Sequence, residues 1–388
     1  MTEIAHGAVV ALPGEAILSR WWRTVDKVVL GCLVALFAVG ILLGLAASVP
    51  LAERNGLPQF HYVERQLVFG LLAFVVMLVT SMLTPSLVRR LAVLAFFVAL
   101  VAVMLLPVAG TDFGKGATRW YSLGFASLQP SEFLKPCFVV VTAWLMAASH
   151  APGGPPGKTM SAVLTLVILA FLAAQPDFGQ AMLLVVAWSA IYFVAGAPIA
   201  LISGVIAFVG VSGVVAYHNS QHFARRIDGF LDPEIDPRTQ MGYATNAIRE
   251  GGFFGAGVNE GRVKWTLPDA HTDFIIAVAA EEYGLFMVLF VTALFAVITL
   301  RCLMRLTRER DMFARLAGTG LAVLIAAQAF INLGVAVRLL PAKGMTLPFV
   351  SYGGSSLIAM GGLAGMLLCF TRLRPQNEIG DVLLSTPR

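Results

Sequence analysis

The segment Leu267-Pro-Asp-Ala-His-Thr-Asp273 ends a long polar stretch and runs directly into the apolar Phe274-Ile275 and beyond. It sets a histidine and two acids where water meets a membrane. A carboxylate at such a junction can take a proton from a hydroxyl nucleophile, which makes Asp273 the leading candidate for a general base. The same acid at a helix N-terminus can instead cap free amides and the helix dipole, a gain of about 1 kcal/mol. The residues alone leave both readings open. His271 is a weaker candidate, since a lone interfacial histidine more often hydrogen-bonds structurally.

Further polar groups fall in three other segments. Glu132 and Lys135 are three residues apart in Gln129-Pro-Ser-Glu-Phe-Leu-Lys135, a spacing that pairs them on one helix face. They form a local ion pair, or Lys135, like Arg119, offers a cation to a phosphate. Trp120, beside Arg119, suits either an interfacial anchor or a stacking surface for a sugar or acyl chain. Asp177 stands in Gln175-Pro-Asp-Phe-Gly-Gln180. Ser351-Tyr-Gly-Gly-Ser-Ser356 follows Pro348 and reads as a non-helical entry to a final span, better suited to a cavity wall holding Ser351 and Ser355 than to a nucleophile. Glu281 and Glu282 lie about 12 Å beyond Asp273 at 1.5 Å per residue, inside the apolar run. Left facing lipid at the centre, each costs about 2.5 to 3.5 kcal/mol, so they need partners or a cavity. A structural ion pair and a cation path remain equally open for them, with Asp177 a further candidate of that kind.

Several apparent motifs carry no chemistry. Asp112-Phe-Gly and Asp177-Phe-Gly lack a kinase catalytic loop, and the glycine-rich Gly251 to Gly257 lacks a Walker lysine. Gly40-x-x-x-Gly44 and Gly361-x-x-x-Gly365 predict close helix packing within the chain.

The elements that must position these residues are membrane helices. Hydrophobic residues make up 58% of the chain and charged ones 13%, and many apolar runs approach the span a helix needs to cross a bilayer. The predicted fold class is an all-α polytopic membrane bundle. Ten helices are predicted near 28–48, 67–83, 90–107, 133–149, 159–174, 180–195, 199–217, 273–300, 314–337 and 355–371. The domain plan is a tail at 1–27, a membrane domain at 28–374 with a large outer loop at 218–272, and a tail at 375–388. Ten spans put both termini on one side. That side carries 14 Lys and Arg residues, among them Arg20, Arg23, Arg301, Arg305 and Arg374, against 13 opposite. Discounting the long loop makes the terminal side the basic one, hence cytoplasmic, and places the polar segments outside. The net charge of +5 comes from scattered loop residues, which argues against nucleic acid. Cys32, Cys137, Cys302 and Cys369 lie in or beside apolar runs and read as packing residues. The first apolar run is too long for a secretory h-region and is expected to stay as an anchor.

Taken together, Gly116-Ala-Thr-Arg-Trp120, Gln129-Pro-Ser-Glu-Phe-Leu-Lys135, Pro176-Asp-Phe-Gly, Leu267-Pro-Asp-Ala-His-Thr-Asp-Phe274, Glu281-Glu-x-Gly and Leu347-Pro-Phe-Val-Ser-Tyr-Gly-Gly-Ser-Ser356 resemble, in order and spacing, the SEDS (shape, elongation, division and sporulation) family. The likeness runs from about Val28 to Arg374. Ala270 before His271, and Lys343-Gly-Met-Thr before Leu347, look more like its division members than its elongation members. The resemblance implies a peptidoglycan glycosyltransferase of the inner membrane, at the division septum, that polymerises lipid II on the outer face. It implies that Asp273 matches the family's catalytic aspartate, and that Trp120, Glu132 and Lys135 match functionally important positions. Asp273 would then act as base on the acceptor sugar hydroxyl, with inversion at the donor and departure of undecaprenyl pyrophosphate. Lys135, Arg119 or a divalent cation (Mg or Mn) would offset that charge. The metal is a family expectation, with no ligand cluster in the sequence to show it. Implied partners are lipid II, a class B penicillin-binding protein that crosslinks strands, other divisome membrane proteins and the lipid bilayer. The chain departs from the family pattern at Ala336 and Arg338, where many relatives have Asn and Gly, and at Trp265, where some division members carry an acid. Two rival classes are a lipid II flippase, which calls for paired ionisable groups deep in the bundle and an inverted repeat, and a non-catalytic divisome scaffold.

Overall fold

The computed structural model describes residues 16–111, 118–124, 126–196, 199–219, 221–232, 239–341 and 344–373. Expectations for Asp112, Lys115, Gly116, Lys343, Arg374, the 375–388 tail and the first 15 residues lie outside that set. The described chain is helical apart from a two-residue hairpin, β1 (Tyr121–Ser122) against β2 (Ser127–Leu128). A short helix α1 (Ile17–Thr24) precedes α2 (Lys27–Arg54), α3 (His61–Met82), α4 (Pro85–Ala109), α5 (Pro130–Ala148), α6 (Gly157–Ala174), α7 (Phe178–Val194) and α8 (Ile199–Asn219). Then come α9 (Gln221–Leu231), α10 (Gln240–Gly251), a 3-10 turn at Val263–Trp265, α11 (Ile275–Leu306), α12 (Met312–Ala336) and α13 (Gly354–Thr371). Among the described residues nine helices are long and apolar enough to cross a membrane, and the shorter α7 makes the tenth predicted span.

Local sequence sets the helix starts. Asp26 accepts from the amides of Val28 and Val29, Thr84 from Leu87 ahead of Pro85, and Asp311 from Phe313. Pro130 occupies the first turn of α5, where its missing N–H costs nothing. The bundle centres on α13, buried over 83% of its apolar window, with α5 and α12 at 72%, whereas α8 is buried over only 6%. Gly361 and Gly365 let α13 meet the backbone of α3 at Ala73 and Met77, so that small-residue pair packs inside the chain as expected. Gly40 and Gly44 of α2 serve differently, seating the non-helical turn at Phe349–Val350 and the Gln66 side chain. The cysteines are free thiols, three buried and Cys32 half-buried.

Two segments outside the spans are structured. The stretch before the first span holds α1, whose Trp21 is buried and donates to the Ser81 hydroxyl at 2.9 Å. The 218–272 loop between spans carries α9, α10 and the 3-10 turn, which the hydropathy pattern does not specify. Its 251–265 portion packs into a break in α11 at Gly284, where φ is +73°. Ala256 and Gly257 donate to the carbonyls of Glu281 and Glu282, and Leu285 donates to that of Gly252. Helical backbone groups freed inside a membrane need such internal partners, and Gly251, Gly255 and Gly261 permit the approach because a Cβ on any of them would strike α11.

The two ends of the bundle differ in chemistry. At one end Asp26 accepts from Arg301 and Arg305 at 2.7 Å each, and Leu373 donates to the Thr24 carbonyl, so the chain enters and leaves together. The polar sequence motifs gather at the other end.

Candidate active site

Asp273 is held by a tight turn. Asp269 adopts φ +53°, and its carbonyl accepts from the amides of Thr272, Asp273 and Phe274 at 3.1, 3.1 and 3.4 Å. Leu267, Ala270 and Phe274 are buried and anchor the turn, leaving His271, Thr272 and Asp273 half-buried at its surface. The N-cap position of α11 falls at Phe274, one residue beyond Asp273, so the acid precedes the cap. Its carboxylate lies against Gly344, where an ideal Cβ would come within 3.1 Å of Oδ2.

The turn leans on the non-helical segment ahead of α13. Tyr352 donates its amide to the His271 carbonyl at 3.0 Å, and the Ser351 hydroxyl donates to the Thr272 carbonyl at 2.5 Å. Ser351 also accepts from Leu347, which makes it a buried tie between two turns. The His271 ring packs beside those of Tyr62 and Tyr352, 5.6 and 5.5 Å away. Burial pushes the Tyr352 phenol above its ordinary value near 10, although the Arg65 charge pulls the other way, so it stays neutral at physiological pH.

Beside this lies a buried polar network. Lys135 pairs with Glu132 at 2.9 Å and donates to Gln328 Oε1 at 3.1 Å. Glu132 also accepts from Gln180 at 2.6 Å and from Ser356 at 3.3 Å, and Ser356 meets the Thr346 hydroxyl at 2.9 Å. Gln129 donates its amide to Ser355 and its side chain to Asp177. The structure thus joins Glu132, Lys135, Asp177 and Ser355, from three distant motifs, in one cluster. With Lys135 only 1% exposed and Glu132 4%, the ion-pair reading is the one observed. Such a cluster specifies geometry because every broken link leaves a buried polar group unpaired.

Arg119 donates to the carbonyls of Gln175 and Pro176 at 3.1 and 2.7 Å, pinning the hairpin to the α6–α7 turn. Trp120 is half-buried and its carbonyl accepts from Thr111. Around the N-terminus of α3 a cleft of about 580 Å³ is lined by His61, Glu64, Arg65, Val68, Phe69 and Gly124. Tyr62, within that turn, links it to His271.

Glu281 and Glu282 belong elsewhere. Glu281 accepts from the amides of Val263 and Lys264 at 2.7 and 3.2 Å, and Glu282 pairs with Lys264 Nζ at 2.5 Å. Glu282 thus takes the structural ion-pair alternative, and Glu281 is held by backbone amides of the same segment. Lys264 went unnoticed in the sequence because it lies in the polar segment and looks solvated. Gln328 and Asn332 were also missed, although two amides four residues apart in an otherwise apolar helix signal a polar face.

The divalent cation suggested by the family resemblance finds no group of three or more His, Cys, Asp or Glu side chains among the described residues. Asp273 offers one carboxylate, so a cation here would need substrate phosphates as its other ligands.

Comparison with known proteins bears on this arrangement. A probable peptidoglycan glycosyltransferase FtsW from Caulobacter vibrioides is 41% identical over 361 residues, covering 92% of each chain. Its counterpart from Trichlorobacter lovleyi is 36% identical, covering 88% of this chain and 92% of its own. Among solved structures, a chain described under structural coordination of polymerization and crosslinking by a peptidoglycan synthase complex superposes with a TM-score of 0.72 at 26% identity, over 89% of this chain and 97% of that one. The rod shape determining protein RodA of Thermus thermophilus gives 0.66 at 25% identity, over 90% and 97%. The family model for FtsW, RodA and SpoVE, described as Cell cycle protein, matches residues 26–375, which spans every helix from α2 to α13 and the whole polar end. With ten apolar helices among the described residues, the motif-bearing segments at one end and a relative 41% identical over 92% of the chain, this chain belongs to the FtsW, RodA and SpoVE family of cell cycle proteins.

Proposed function

We propose that the protein is a peptidoglycan glycosyltransferase that polymerises lipid II into glycan strands at the outer face of the inner membrane during septal wall synthesis. The observation that carries this reading is the half-buried Asp273 carboxylate, held on a rigid turn at the polar end of the bundle. Asp273 is the general base: it takes the proton from the acceptor sugar hydroxyl as that oxygen attacks the donor anomeric carbon with inversion, and undecaprenyl pyrophosphate departs. Arg65 in the α3 cleft and the unused donors of Arg119 supply positive charge for the pyrophosphate, while Val68 and Phe69 offer an apolar wall to its lipid. Glu132, Lys135, Asp177 and Ser355 shape the site from within. His271 and Trp120 border it.

The helix number and the basic residues at the Asp26 end support cytoplasmic termini, which puts Asp273 outside. A class B penicillin-binding protein would crosslink the strands. The transport reading rested on Glu281 and Glu282, and both are engaged in holding the 251–265 segment.

The test is polymerisation of lipid II by purified protein, alone and with its cognate penicillin-binding protein, with transpeptidation inhibited. Loss of a base costs about 10²- to 10⁴-fold. Asp273→Asn should therefore lower strand formation by at least that lower limit while remaining folded. Wild-type polymerisation by the folded variant would refute the assignment.

A further inference from the structure

Asn332 sits near the C-terminal end of the apolar helix α12, 2% exposed, and spends both hydrogens of its amide on backbone carbonyls: Met345 at 2.6 Å and Asp273 at 3.0 Å. Its own Oδ1 is buried with no partner. A leucine here would leave both carbonyls without these donors, and only the Oδ1 of the amide goes unused. The donors are therefore what the site uses. One turn earlier on the same face, Gln328 donates to the Thr346 carbonyl at 2.9 Å and accepts from Lys135. The two amides fix consecutive carbonyls of the segment that begins at Gly344. That exposed glycine is in turn the surface on which Asp273 Oδ2 rests.

We infer that Asn332 and Gln328 are positioning residues for the glycosyl transfer: they lock the 344–346 backbone as a backstop that sets where the Asp273 carboxylate points. Asp273 is gripped from both sides, because Ser351 holds the preceding Thr272 carbonyl while Asn332 holds its own. Gln328 extends the lock to the buried Glu132–Lys135 pair, so that cluster also governs the base. This inference rests on Asp273 being the base.

The experiment measures kcat and KM for lipid II polymerisation, with thermal unfolding, for the full-length protein in lipid with its penicillin-binding partner. Asn332→Leu removes both donors. Gly344→Ala leaves every hydrogen bond in place and adds a methyl at 3.1 Å from Oδ2, on an exposed residue whose φ lies outside the left-handed region. A misplacement of about 1 Å costs on the order of 100-fold, and the few tenths of an ångström that a 3.1 Å contact forces cost on the order of 10-fold. Both variants should lose that much kcat with KM within about threefold, since substrate binding is untouched. Should Asn332→Leu fail to fold, Gly344→Ala alone decides. Wild-type kcat in folded Gly344→Ala, or a rise in KM with kcat intact, overturns the inference. Normal polymerisation by Asp273→Asn would overturn the base assignment and this inference together; an inactive Asp273→Asn beside fully active Asn332→Leu and Gly344→Ala would overturn this inference alone.

Discussion

Lys264→Met isolates what holds the 251–265 segment in the break of α11. Lys264 Nζ reaches Glu282 at 2.5 Å and Asn259 at 2.8 Å, and the side chains of the Lys264–Glu282 pair are 1% and 0% exposed. Methionine keeps the stem volume and removes the charge, so Glu282 is left buried without its cation and with its second oxygen already unpartnered. Removing one member of a buried pair costs about 3 to 5 kcal/mol. At roughly 1.4 kcal/mol per decade, local opening of the segment should rise about 10²- to 10⁴-fold. Hydrogen exchange read by mass spectrometry on peptides containing Ala256, Gly257 and Val263 reports that opening, because those amides donate to Glu281 or Glu282 across the break. Replacing both members, as Lys264→Met with Glu282→Leu, should recover most of the protection, since an apolar pair of similar size carries no desolvation penalty. Exchange within threefold of wild type in the single variant, or a double variant no better than the single, would refute the reasoning.

Gly284→Ala should loosen the same segment, since alanine at φ +73° is strained and its methyl would meet the Phe253 carbonyl; the same peptides should exchange faster, with those of α2 unchanged. Lys135→Met should unfold the protein at lower temperature by stranding Glu132 and Gln328, and Lys135→Met with Glu132→Gln should be milder, as read by thermal unfolding in detergent. Asp26→Asn should loosen the opposite end, where Arg301 and Arg305 lose their shared acceptor; faster proteolysis near Thr24 and Leu373 with unchanged kcat is the expected outcome.

Composition and the spacing of apolar runs disclosed the class, the ten spans and the polar end, because crossing a bilayer imposes a length and a hydropathy that local sequence must satisfy. The Glu132–Lys135 spacing was equally local. Where the sequence pattern stopped short, two segments met only in space. For Glu281 and Glu282 the sequence left an ion pair and a cation path equally open, and Lys264, some 18 residues earlier, is the partner that only the fold brings to them. The glycine-rich 251–257 stretch had no visible purpose without the α11 break that receives it.

The sequence by itself determined which residues can titrate, which helices cross the membrane and which side of the bundle bears the acids, since each follows from side-chain type and helical repeat. Tertiary structure alone decided that Lys135 is enclosed, that Ser351 is a tie and that Asn332 grips the Asp273 turn. Those facts depend on contacts between groups 59 to 193 residues apart, such as Asn332 with Asp273 and Lys135 with Gln328. A buried polar group must find its partner wherever packing delivers one, and no local pattern records which partner that is.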